Sequence, residues 1–405
     1  MKWAVLSYLI LNPFFYLIGY DTRDAQHLFY QLSSVILFAL GMFFDNKPVK
    51  WIKLNISIGV LLIAFVLSWL HTQSGWYIAS NLLFGILVYM TIVKTLTKED
   101  IFFIFKGMCF LTVFCIIVLA FQCINWDFRS AQILGAKNSL IAGVKPESIF
   151  FQRSAMGMYF AHHIPILATI NIFLAPILLI PMYWSQSMGA FLGAICGFSF
   201  LLWFRKRILF WIFLVFILGV GIFSLQSSSF KREAMTGINV RLSMWSVVTQ
   251  DIFQQPLGHG LDSFANPVKG SKFYNYHNVD YHTMIKLVKD DNGVVDGATD
   301  KDNKLLRMVA EERGGSITYS DHPHNEYIWI GYEIGLVAWI ILGFIFYFIW
   351  DRFKKSRRDM LTCSSMAILI CLAVECFFQF PFHLARVGYI LPLALGAFYI
   401  ATEEE

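Results

Sequence analysis

The chain has 405 residues, 57% of them hydrophobic and only 15% charged, with a formal net charge of +5. At a mean hydropathy of +0.59 there are too few polar faces to cover large buried helices, which excludes a water-soluble globule. The charges are bunched between long apolar runs, and no nucleic-acid partner is expected.

A bilayer-spanning helix takes about 20 mostly apolar residues at about 1.5 Å each. Runs of that kind occupy 3–19, 28–44, 51–70, 76–93 and 101–124. Met1 leads into the first run almost at once and no small-residue cleavage site follows, so that run reads as a retained span. Residues 125–153 form a loop carrying Arg129, Lys137, Lys145 and Arg153 against Asp127 and Glu147. The apolar stretch 154–184 is interrupted by Pro165, Pro176 and Pro181, and it is predicted to cross twice by turning near Asn171. Runs at 187–204 and 208–225 lead into a hydrophilic segment, 226–325, of nearly balanced charge. The last runs are 326–350, 360–378 and 384–401. The expectation is an all-α polytopic membrane protein of about 12 transmembrane helices. Residues 1–225 carry nine of them, 226–325 form a large loop domain, and 326–405 carry three and a short tail.

Short cytoplasmic loops hold the excess of Lys and Arg. The basic loops 45–50, 94–100, 204–207 and 351–359 fall on one side if 154–184 crosses twice. Both termini are then cytoplasmic, while 125–153 and 226–325 face outward. All seven cysteines lie in or beside predicted spans, so a disulfide-stapled exterior is not expected. No internal repeat suggests the paired halves common in transporters.

Ionisable groups in hydrocarbon are costly. Here Arg153, Glu333, Glu375, Gln379, His383 and Arg386 collect at the outer ends of spans, with His162 and His163 near the middle of one. Any one of them fits an interhelical hydrogen bond or a snorkelling side chain. As a set they predict a polar cavity open to the outside.

In "DHPHNEYIWIGYEIGLVAW", 321–339, a helix starting near His324 would put 324, 328, 331 and 335 on one face. Gly331, Gly335 and Ala338 make a small stripe suited to close helix packing. His324 tops that face; Glu326 and Glu333 share another. An imidazole there suits proton transfer near neutrality, although a helix-start His can equally meet only water or headgroups.

In "NVRLSMWSVVTQDIFQQPLGHGLDSF", 239–264, Arg241 and Trp245 stand four apart on an amphipathic helix before a Gly-punctuated turn. A guanidinium offers fixed, paired donors to phosphate. Asp300 and Asp302 read as solvated loop. No Cys/His metal spacing, Walker loop or Ser-His-Asp order appears, so neither metal nor cofactor is expected.

These stretches resemble the O-antigen ligase superfamily. "HPHNEYIWIGYEIGLVAW" is similar to its signature at the exit of the large periplasmic loop, and "VRLSMWSVV" with "QPLGHGLDSF" to its Arg-x-x-x-Trp helix and following turn. "FFQRSAMGMYFAHHIPIL" and "FPFHLARVGYILPLALG" resemble its mid-chain and last spans. The likeness runs from about 150 to the end; the first 125 residues match in hydropathy alone. One departure is Met188, where many members carry an Arg.

The resemblance implies a GT-C-like membrane glycosyltransferase of the bacterial inner membrane, active at the periplasmic face without bound metal. Its donor would be an undecaprenyl-pyrophosphate-linked glycan, and membrane lipids would surround it. It implies His324 as general base, Arg241 and Arg153 as the pyrophosphate clamp, and Asn325, Glu326 or Glu333 orienting the imidazole. The acceptor is lipid A–core for a ligase, a lipid-linked glycan for an O-antigen polymerase, or a protein for an O-oligosaccharyltransferase. Ligation is favoured on the near-minimal architecture with one large loop. A polyprenyl-glycan transporter ranks lower, because it would spread charge through the membrane depth.

Overall fold

The computed structural model describes residues 1–14, 22–44, 53–72, 76–123, 153–185, 187–226, 323–379 and 388–403, with 241–242, 245–246, 248–261 and 263–264 from the long loop. His383, Arg386, Asp300 and Asp302 lie outside the described residues.

The helices are α1 (Lys2–Phe14), α2 (Thr22–Phe44), α3 (Lys53–Thr72), α4 (Trp76–Thr95), α5 (Lys98–Cys123), α6 (Arg153–Ile170), α7 (Leu179–Ser185), α8 (Met188–Arg205) and α9 (Arg207–Gln226). After the long loop come α10 (Glu326–Ile334), α11 (Leu336–Lys355), α12 (Met360–Glu375) and α13 (Ile390–Thr402). No strand occurs among the described residues, so the all-α class stands.

Among the described residues, four helices are long and apolar enough to cross a bilayer: Asn55–Thr72 within α3, and the whole of α5, α8 and α11. Shorter apolar helices lie within α2, α4, α9, α12 and α13. Phe43, Phe110 and Ile208 are 86%, 79% and 78% exposed. Water penalises such a surface, whereas lipid tails match it. All seven cysteines are free thiols.

Helix starts are fixed by polar caps outside the apolar runs. At α5, Thr97 and Asp100 cap one another: the Thr97 amide donates to Asp100 Oδ2 (3.2 Å) and the Asp100 amide to Thr97 Oγ1 (3.3 Å). At α12, Asp359 accepts from the Thr362 amide (2.7 Å).

The chain divides into two compact units. The first comprises Met1–Gly59, Tyr77–Phe213 and Ile345–Glu405. Its centre is α12, packed on α6, α8 and α13, while α6 also meets α5 and α7. Both α6 and α12 are buried on nearly every face, which matches helices apolar all round. A glycine stripe brings α8 against α12. A Cβ at Gly193 would lie 2.8 Å from the Cys371 carbonyl oxygen, and one at Gly197 2.5 Å from that of Ala367.

Residues 154–184 turn at Asn171 as expected, where Oδ1 accepts from the Phe173 amide (3.0 Å). The returning segment, however, is a 3₁₀ turn, Ala175–Leu178, followed by the seven residues of α7. That amounts to about 20 Å of helix, short of a hydrocarbon core of about 30 Å.

The second unit comprises Val60–Trp76 and Leu214–Phe344. Here the expected helix over 326–350 is corrected. It breaks at Gly335, whose φ is 95°, into the nine residues of α10 and a separate α11. Trp339 Nε1 donates to the Tyr327 carbonyl (2.7 Å). In a straight helix twelve residues span about 18 Å, so the chain folds back at the break.

Candidate functional site

The second unit is built around the backbone groups that the break exposes. The Pro256–Gly260 turn pairs with them: the His259 amide donates to the Tyr332 carbonyl (2.9 Å), Gly260 to Glu333 (2.8 Å), and Leu336 returns a bond to Pro256 (2.9 Å). Ser68 Oγ on α3 also donates to the Glu333 carbonyl (3.2 Å). Interrupted helices in apolar surroundings need such replacement partners, because a bare peptide group there is costly. Gly258 and Gly260 have φ of 80° and 93°, which lets the turn run this close.

Gly331 and Gly335 serve different neighbours from the packed helix expected of them. A Cβ at Gly331 would lie 2.5 Å from Trp339 Nε1, so the missing side chain admits the indole. Gly335 lies against the backbone of Pro256, Leu257 and Gly258.

His324 does not top a helical face. It precedes the helix, half-buried, at φ 50°, the one non-glycine residue with positive φ among the described residues. Left-handed backbone in a non-glycine residue costs energy and clusters at functional sites. Asn325 follows as N-cap, with Oδ1 accepting from the Ile328 amide (3.1 Å). Glu326 opens α10 and is buried, at the helix end that favours a carboxylate. Glu333 is buried two turns on, where Oε1 accepts from Trp329 Nε1 (2.7 Å).

Arg241 and Trp245 both stand in helical backbone. Trp245 Nε1 donates to the Pro323 carbonyl (2.7 Å), so the Arg241 segment is tied to the residue preceding His324. Burial pulls the half-buried Arg241 guanidinium below its usual range, the signature of a partly desolvated cation. Arg153 is the first residue of α6 in the other unit, and Met188 the first of α8.

Sequence reasoning missed a pair beside these. His259 Nε2 lies 3.0 Å from Asp251 Oδ2, both buried, and the His259 ring stacks on Tyr332 at 4.2 Å. Phe264 closes the Tyr332 ring edge-on at 5.3 Å. The available signal was His259 between two glycines, eight residues after Asp251.

In the first unit His162, on α6, meets Glu375, on α12: Nε2 to Oε2 is 2.6 Å with both fully buried. His163 Nδ1 donates instead to the Tyr159 carbonyl (2.6 Å) and its ring stacks on Tyr159 at 3.9 Å. Gln379 Nε2 reaches Ser187 Oγ (3.4 Å). His324, Arg241, Asn325, Glu326 and Glu333 belong to the second unit; His162, Glu375 and Gln379 belong to the first. Compared with protein-family models and with curated proteins, the chain matches none of either.

Proposed function

We propose that the chain is a glycosyltransferase of the bacterial inner membrane, taking a glycan from undecaprenyl pyrophosphate at the periplasmic face and passing it to an acceptor hydroxyl. The acceptor adopted is lipid A–core, which makes the reaction O-antigen ligation. The proposal keeps twelve crossings with 226–325 outward, the short returning segment 175–185 crossing where the bilayer thins around it. In its support, the second unit gathers the ends of α3, α9 and α11 that this topology puts on one side.

The observation that carries the reading is the Trp245–Pro323 bond, because it joins the Arg-bearing segment to the strained His324. In the reaction the bond from the anomeric carbon to the pyrophosphate oxygen breaks while the acceptor oxygen attacks from the opposite side, inverting the centre. His324 takes the acceptor proton, a role worth typically 10²–10⁴-fold. Arg241 offsets the charge that develops on the leaving pyrophosphate, and its partial burial strengthens that interaction. Asn325 fixes the start of α10 and hence the chain direction at His324.

The test uses purified enzyme with a lipid-pyrophosphate-linked glycan, adding lipid A–core, no acceptor, or a pilin-like protein in parallel. Transfer to lipid A–core, absent in His324→Ala, is expected. A ladder without added acceptor would indicate a polymerase, and a glycosylated protein an O-oligosaccharyltransferase. Full transfer by His324→Ala removes His324 from the chemistry; no transfer at all, with glycan flipping in proteoliposomes, overturns the reading in favour of transport.

A further inference from the structure

Where α6 meets α12, three chemically distinct donors sit together in the apolar bundle of the first unit. The coordinating atoms of His162, Cys371 and Glu375 lie within 4.8 Å of one another, and all three residues are buried. Cys371 and Glu375 are one turn apart on α12, with Sγ 3.7 Å from Oε1. His162 reaches across from α6 to the other carboxylate oxygen. On the α8 side the cluster meets the backbone of Gly193, which brings no side chain between the donors. A Cβ at Gly193 would fall 2.8 Å from Glu375 Cγ and 3.2 Å from Cys371 Sγ.

The three groups satisfy one another only in part, through the His162–Glu375 contact and a long bond from the Cys371 thiol to Glu375 Oε1. His162 Nδ1 is buried with no hydrogen-bond partner among the described residues. An imidazolium beside a carboxylate leaves the Nδ1 proton without an acceptor. A neutral ring protonated only at Nε2 leaves a buried anion. A protonated Glu375 donating to Nε2 puts the ring proton back on the orphaned Nδ1. Each arrangement carries a desolvation cost, and the thiol contributes no more than one long hydrogen bond to Glu375 Oε1.

We propose that this cluster binds one thiophilic divalent cation, Zn²⁺ being the best match, as a clamp between α6 and α12. Nitrogen, sulfur and oxygen donors together are the ligand set of zinc, whereas magnesium and calcium take oxygen alone. The charge closes as well: Zn²⁺ with one thiolate, one carboxylate and a neutral imidazole is neutral overall, the state an apolar interior accepts. Binding releases to solvent the Cys371 thiol proton and the extra proton held by the His162–Glu375 pair, and leaves the imidazole one nitrogen for the metal. The site lies on helices of the first unit and is independent of the glycan-transfer proposal.

The test takes tag-free, full-length protein in detergent micelles, dialysed against a weak chelator and assayed for metals by mass spectrometry. About one zinc per chain is expected for wild type, falling about tenfold or more in His162→Gln, Cys371→Ser and Glu375→Gln, but not in Cys109→Ser, another bundle thiol. Protein stripped and reloaded with Co²⁺ should show a thiolate-to-cobalt charge-transfer band in the near ultraviolet. The band should vanish in Cys371→Ser and persist in Cys109→Ser. Because the band is read on wild type, the test survives a variant that fails to fold. Wild type that retains no zinc and gives no band overturns the proposal, as does full metal content in folded Cys371→Ser.

Discussion

Replacing Gly335 by Ala tests whether the break between α10 and α11 is held by the turn at 256–260. Gly335 has φ 95° and ψ −175°, backbone open essentially to glycine alone. A Cβ there would also meet the Pro256 carbonyl oxygen, Leu257 C at 2.6 Å and Gly258 N at 2.7 Å. All three are main-chain atoms, so no side chain can swing aside; the turn itself must move. Moving it strains the three cross-links at Tyr332, Glu333 and Leu336. The backbone conformation costs about 1–3 kcal/mol and each lost bond about 1 kcal/mol, together about 4–6 kcal/mol. Gly343→Ala is the matched control, since nothing lies within 4 Å of its added carbon. There the helix should gain up to about 1 kcal/mol. Both variants would be purified in the same detergent and melted while tryptophan fluorescence is followed. A midpoint about 5–7 °C below wild type is expected for Gly335→Ala, and none of that loss for Gly343→Ala. Equal midpoints for the two variants would refute the argument that the turn and the break form one unit.

His259→Ala leaves Asp251 as a buried carboxylate without its partner and should cost about 3–5 kcal/mol. Adding Asp251→Asn should recover part of that loss, so additive melting shifts in the double variant would count against the pair. Gly193→Ala forces α8 away from the Cys371 carbonyl and should cost about 1–3 kcal/mol, read as a lower melting midpoint against Gly219→Ala, which has open space. Trp245→Phe deletes the bond to the Pro323 carbonyl while keeping an aromatic ring. Transfer should fall by about 10²-fold with yield and monodispersity unchanged, and undiminished transfer would separate this contact from the chemistry. Arg241→Lys should lose most activity, because an ammonium lacks the paired donors of the guanidinium; wild-type rates would remove Arg241 from the clamp.

The helical class was legible in composition, because long apolar runs with few charges leave a bilayer as their natural solvent. The turn at Asn171 was legible too, from its place between Pro165 and Pro176. The break at Gly335 was not. Run length alone merges α10 with α11, and the partners that make a break tolerable lie about 80 residues away at 256–260. The same distance hid the function of the glycines: spacing reveals that Gly331 and Gly335 are small, and only the fold reveals that Trp339 and the Pro256–Gly258 turn occupy the room. The α8 stripe of Gly189, Gly193 and Gly197 has the spacing of a packing seam but sits in a run read for hydropathy and for Met188 alone. His162 stood out as an intramembrane histidine. Its partners, Cys371 and Glu375, are more than 200 residues away, and no local motif joins them.

The break also bears on how the chain is made. At nine residues α10 is too short to be recognised as a span by the insertion machinery, so the segment that enters the bilayer from the ribosome is 336–355. The turn at 256–260 has already been synthesised when Glu326 emerges, and it offers amides to the last carbonyls of α10 as soon as these appear. Insertion and loop folding are thereby separate events with separate sequence requirements. A change at Gly258 or Gly260 would leave the apolar segment 336–355 as it is and remove only the turn on which the end of α10 docks.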